Sequence, residues 1–177
     1  MKKIVFALVL MLASLEAFSQ NTIKFLGIPI TGTKKEMIAK LQEKGYEYNS
    51  YGDYLTGEFN GQNVQIQVQT VNNRVWRIAI VDAKGTDETN IKIRYNNLFD
   101  QFINNGKYVS IGDGKISEDD DISYEISVHK KRFEADFKLK DTSINGYVWY
   151  MIDGDYDSYR IIMFYENIDN AANGDDL

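Results

Sequence analysis

Residues 59–82 read FNGQNVQIQVQTVNNRVWRIAIVD, and this stretch decides the fold class. Val64, Ile66 and Val68 alternate strictly with Gln65, Gln67 and Gln69, the period of a strand whose successive side chains leave by opposite faces. One face is apolar and needs a core, while the other is amide-rich and suits water. Asn60-Gly61 ties this strand to an earlier one over Tyr54 to Phe59, because both turn positions tolerate positive φ. Asn72-Asn73 turns the chain again, into a third strand over Val75 to Val81. Continued parity predicts Trp76, Ile78 and Ile80 on the buried side, with Arg77 outside. It also puts Tyr54, Thr56 and Glu58 on the glutamine face.

Upstream, Thr33-Lys-Lys-Glu36 has the spacing of a capping box, in which side chains at both ends satisfy backbone donors. Met37, Ile38 and Leu41 form an apolar stripe, and Gly45 stands where a left-handed cap is wanted. A helix is predicted from Lys34 to Lys44. Before it, IKFLGIPI (23–30) reads as a short strand or extended lead-in. Downstream, the linker AKGTDETN (83–90) precedes a second amphipathic helix with Ile91, Tyr95, Leu98, Phe99, Phe102 and Ile103 on one face. After the acidic loop GDGKISEDDD (112–121), four strands are predicted: Ile122 to Val128, Arg132 to Leu139, Tyr147 to Ile152 and Tyr159 to Glu166. Helix-then-strands therefore occurs twice, each helix ending at a glycine soon followed by tyrosine (EKGYEY, NNGKYV). The expected fold is α+β, built from two helix-then-antiparallel-strand repeats over 20–83 and 84–168, with the helices packed on one face of the sheet. Residues 169–177 read as a tail without regular structure.

The chain opens MKKIVFALVLMLASLEAFSQ. Lys2 and Lys3 form a basic start, Ile4 to Leu15 an apolar run too short to span a bilayer, and Ala17-Phe18-Ser19 a small-x-small cleavage site before Gln20. Residues 1–19 therefore read as a secretory signal peptide, implying an exported protein, periplasmic or extracellular, with no stable membrane anchor. Its loss, with Lys2, Lys3 and Glu16, moves the net charge from −6 to about −7. That balance argues against nucleic acid and anionic membranes as partners. With no cysteine, the chain has no disulfide framework, no thiol nucleophile and no Cys/His zinc site.

The stretch ITGTKKEMIAKLQEKGY (30–46) resembles the opening helix of small exported modules of the beta-lactamase-inhibitor-protein and SmpA/OmlA (BamE-like) lipoprotein type. In those modules a glycine-Thr/Ser start precedes a short amphipathic helix that ends at glycine and leads into a meander. FLGIPI and the NGQNV hairpin also resemble secreted proteins of the Bacteroidetes. The likeness covers residues 30–82 and extends to the second half through element order. It implies the α+β architecture and an inhibitor-like binding role. The chain lacks the cysteines of the inhibitor's disulfides and the lipobox of the lipoproteins, and no residue of the inhibitor's binding surface can be matched.

Catalytic chemistry finds little purchase. His129, the single histidine, falls on the polar parity of a predicted strand with Ser123, Glu125 and Ser127, without a nucleophile elbow. No glycine-rich phosphate loop occurs. Asp153, Asp155 and Asp157 alternate as in hard-cation loops, but Ser158 and Phe164 depart from the EF-hand pattern, and Asp-Gly is ordinary hairpin chemistry. The acidic run Glu118 to Asp121 reads as a solvated loop. No catalytic residue, metal or cofactor is expected.

The strongest functional lead is apolar. In the last two strands both parities are hydrophobic, so one face needs a cover beyond the chain's own helix. An aromatic sheet face suits recognition of a protein partner, with Tyr147, Trp149, Tyr159 and Tyr165 as anchors and Gln65, Gln67 and Arg77 at the rim. The bland alternative is that these strands are buried on both sides. A carbohydrate or peptide along the glutamine row is the competing functional reading.

Overall fold

The computed structural model describes residues 22–112, 114–155 and 158–171. The predicted leader and the end of the tail lie outside them. The protein is mixed α+β, dominated by one large antiparallel sheet. A small hairpin of β1 (Lys24–Phe25) and β2 (Ile28–Pro29) comes first, then α1 (Lys34–Glu43). The strands β3 (Glu47–Asn49), β4 (Tyr54–Phe59), β5 (Gln62–Val71) and β6 (Arg74–Asp82) follow. The second half contains α2 (Glu88–Asn104), β7 (Tyr108–Ser110), α3 (Ile122–Ser127), β8 (Glu134–Leu139), β9 (Gly146–Asp155) and β10 (Ser158–Asn167). A 3-10 turn over Ile168–Asn170 closes the described chain.

Eight strands pair in the order β3-β4-β5-β6-β10-β9-β8-β7. Each half is an antiparallel meander, and the halves join through their last strands, β6 and β10. The two edge strands, β3 and β7, are each three residues long.

The turns form for the reasons their residues suggest. Asn60 and Gly61 take φ of 51° and 73°, and Asn72 and Asn73 take 48° and 62°, the left-handed pairs that match strand twist. Thr33 and Glu36 make the complete capping box of α1, whose Met37 and Leu41 are buried. In α2, Ile91, Tyr95, Leu98 and Phe102 are buried as the stripe requires, while Ile103 is 41% exposed. The helix begins inside the predicted linker, because Asp87 caps it by accepting from the Asn90 backbone N–H at 2.9 Å.

The core lies against the sheet face that carries Val64, Ile66, Ile78, Val148 and Tyr150. The Tyr95 ring of α2 meets Tyr150 edge-on at 4.9 Å, and Phe102 stacks on Phe137 at 4.5 Å. The Tyr150 hydroxyl donates to the Tyr95 carbonyl at 2.9 Å, fixing α2 over β9. The buried Asp82 accepts both nitrogens of Arg94 at 2.6 Å and the Ile161 N–H at 3.2 Å, tying β6, α2 and β10 at one point.

Two expectations are corrected. Residues 122–127 form a helix, not a strand: Asp121 caps it through the Tyr124 N–H at 2.8 Å, and only Ile122 of its residues is buried. Trp76 leaves the core side, because Gln69 pairs with Arg77 and Thr70 with Val75, so Trp76 is the extra residue of a bulge. Val75 takes the buried position in its place.

Candidate functional site

The opposite sheet face is half-exposed, and cross-strand register shows its composition. One row runs Gln67, Ala79, Phe164, Trp149, Asp136 from β5 to β8. The row on one side is Gln65, Val81, Ile162, Met151, Glu134, and that on the other is Gln69, Arg77, Glu166, Tyr147, Lys138. The centre is therefore apolar, flanked by amides on β5 and by charges on β8.

Trp149 and Phe164 stack at 4.3 Å with 23° between their planes. The Trp149 indole N–H donates to Glu166 Oε1 at 2.8 Å, and the Arg77 guanidinium lies 2.6 Å from the same oxygen. Arg77 also rests over Trp76 at 4.1 Å and over Phe164 at 5.0 Å. Glu166 is 7% exposed and balances one cation and one indole in a nearly dry position. On the β8 side, the Tyr147 hydroxyl donates to Asp136 at 2.5 Å. Burial, then that hydrogen bond to a carboxylate, pushes the Tyr147 phenol well above the ordinary tyrosine range. Arg132 pairs with Glu134 at 2.8 Å and approaches Trp149 from the β8 edge.

Trp149, Tyr147 and Phe164 are thus each held by a neighbour of different chemistry: Glu166, Asp136 and Arg77. Such a plate suits apolar contact at the centre with polar contacts around it.

The sequence-predicted residues divide between the two faces. Tyr147, Trp149, Arg77, Gln65 and Gln67 share the open face. Tyr159 and Tyr165 do not: they pair with Gly154 and Val148, sit 1% and 9% exposed, and belong to the core. The physical reason is parity, since odd positions in β9 and odd positions in β10 fall on opposite faces in this register. Sequence reasoning missed Phe164, Ile162, Met151 and Glu166 as members of the face. Met151 shares the parity of Trp149 within β9, whereas Phe164 and Ile162 share it only through the pairing of β10 with β9, which needs the register to be known.

His129 follows α3 and lies exposed, its Nδ1 3.1 Å from Glu125 and its ring against Tyr124. The Ser127 hydroxyl donates to the Ser123 carbonyl at 2.6 Å, so it is engaged away from the imidazole. Asp157 lies outside the described residues; Asp153 stands 3.9 Å from Arg160. Among the described residues, no three His, Asp or Glu side chains are grouped to hold a metal ion. The acidic run caps turns: Asp120 accepts from the Ser117 N–H and Asp121 from Tyr124. No family model, curated protein or solved structure matches the chain.

Proposed function

We propose that the chain is an exported, non-catalytic binding module that recognises a protein partner, inhibitor-like, through the open face of its sheet. Trp149 and Phe164 form the centre, Met151, Ile162 and Tyr147 extend it, and Arg77, Gln65 and Gln67 stand at the rim. The observation that carries this reading is the braced Trp149–Phe164 stack, held by Glu166 and Arg77 on a face the chain itself leaves half-exposed. Large rigid aromatics bury much area at small entropic cost, which is why they dominate interface energetics. The two halves are read as repeats of one helix-plus-meander unit, both longer helices lying on the face opposite the stack. The mirrored strand order supports that reading. The basic, apolar and small-residue succession in residues 1–19 supports export.

The test is capture from envelope and culture-fluid extracts with wild-type protein beside Trp149→Ala and Ile162→Arg. One partner retained by wild type and lost from both folded variants supports the reading. Equal capture by all three sinks it. Capture lost on changing Gln65 and Gln67 alone moves the site to the glutamine row and favours a glycan or peptide ligand.

A further inference from the structure

On the buried side of the sheet, a cavity of about 380 Å³ opens between the β1–β2 turn, the β4–β5 hairpin and α2. Its walls include the rings of Tyr46, Phe59, Phe102, Tyr108 and Tyr165, and Met163 lies among them. Leu26, 36% exposed, contributes an apolar lip. Two hydroxyls in this wall lack a partner. Tyr165 is 9% exposed, its hydroxyl makes no hydrogen bond among the described residues, and its oxygen is not among the side-chain atoms sealed from solvent without one. The hydroxyl therefore reaches the cavity that its ring lines. The Tyr108 hydroxyl likewise makes no hydrogen bond among the described residues, its ring held edge-on by Phe102 at 5.1 Å. Burial, with Tyr108 nearby, keeps the Tyr165 phenol protonated well beyond the ordinary range, so it remains a donor at every physiological pH.

Charge narrows the class of ligand. Glu58 borders the cavity, its carbonyl accepting the Tyr46 hydroxyl at 2.9 Å and its carboxylate adding to burial in pushing the Tyr46 phenol up. The Glu58 side chain leaves by the other face, since a Cβ on the preceding Gly57 would meet the Tyr46 ring. The remaining polar lining consists of the neutral amides Asn60, Gln101 and Asn105, the first two already joined at 2.9 Å. A ligand carboxylate would find no cation in the lining, and an ammonium would find only Glu58, whose side chain leaves by the other face. The Tyr165 hydroxyl has no protein acceptor, so a ligand oxygen can take its hydrogen bond in place of water.

We propose that this cavity is a binding site for a neutral, mostly apolar small molecule of one or two rings that carries a carbonyl oxygen for the Tyr165 and Tyr108 hydroxyls. The volume is at the low end of the range for ligand sites, which sets the size. The site stands independently of partner recognition, because it occupies the other side of the sheet.

The probes are acetophenone and its carbonyl-free shape analogue cumene, titrated into purified protein by ligand-detected NMR. Each is run against wild type, Tyr165→Phe and Tyr108→Phe, variants that keep the rings and hence the packing. Wild type is expected to bind acetophenone about fivefold tighter than cumene, the worth of one net hydrogen bond. Tyr165→Phe should erase most of that preference while leaving cumene binding unchanged. Absence of binding by either probe, equal affinity for both in wild type, or a preference that survives in both variants would overturn the proposal.

Discussion

The Trp149 indole and the Glu166 carboxylate, on neighbouring strands, meet at 2.8 Å, and the same carboxylate oxygen holds Arg77 at 2.6 Å. Glu166→Ala strands an indole N–H and a half-buried guanidinium together, with an expected loss of about 3 kcal/mol. Glu166→Gln keeps an acceptor for the indole and should cost roughly half as much. Urea unfolding of the two variants checks the ranking; equal losses would mean that the amide cannot replace the carboxylate toward the indole.

Arg94 and Asp82 form the other bridge whose removal should be felt throughout the molecule. Asp82 is 5% exposed and is bound by two guanidinium nitrogens and a backbone N–H. Arg94→Met leaves a buried carboxylate with one donor, and a loss of about 3–5 kcal/mol is expected. The double variant Arg94→Met/Asp82→Leu should recover part of it, since both charges then go. Failure to recover would place the cost in packing, not in the unpaired charge.

Alkaline pH should destabilise the protein through its tyrosines. The phenols of Tyr147, Tyr150 and Tyr165 are each raised, in every case first by burial. The unfolded chain releases these protons near pH 10, while the folded chain still holds them. Stability from this source is therefore complete below about pH 10 and falls as the pH climbs through the folded-state values. Urea midpoints at neutral and alkaline pH should show the decline, and Tyr147→Phe should make it shallower.

The helix caps offer a smaller and more local test. Thr33→Ala removes half of the capping box of α1, and Asp87→Ala removes the acceptor at the start of α2. Each should lower Tm modestly, as expected for the loss of a helix cap. The Glu36 and Asp87 carboxyls are held below their ordinary range, first by backbone hydrogen bonds from Thr33 and Asn90 respectively. Their contribution is present at neutral pH and lost on acidification, so Asp87→Ala should flatten the acid limb of the stability curve.

Much of this fold was legible from local chemistry. The β4–β5–β6 meander follows from alternation plus Asn-Gly and Asn-Asn turns, and both long helices from stripes bounded by capping residues. What escaped depends on pairing or on ambiguity of period. ISYEISV alternates as well as a strand would, yet Asp121 caps its first turn and Glu125 reaches His129 one turn on, which only helical geometry permits. The bulge at Trp76 exists between two strands and leaves no mark on either alone. For the same reason only part of the open face was legible in the sequence. Tyr147 and Trp149 were placed by parity within their strand, while Tyr159 and Tyr165 required the register of β9 against β10.

The sheet ends on both sides in a strand of three residues, β3 and β7. A peptide seeking to extend it by strand addition would meet a ladder too brief to hold register, the usual natural defence against lateral assembly. Under the binding role proposed above, recognition is therefore expected through side chains displayed broadside and not through backbone pairing at the margins. On that proposal, Trp149 and Phe164 are read as shapes, and imitation of a ninth strand contributes little.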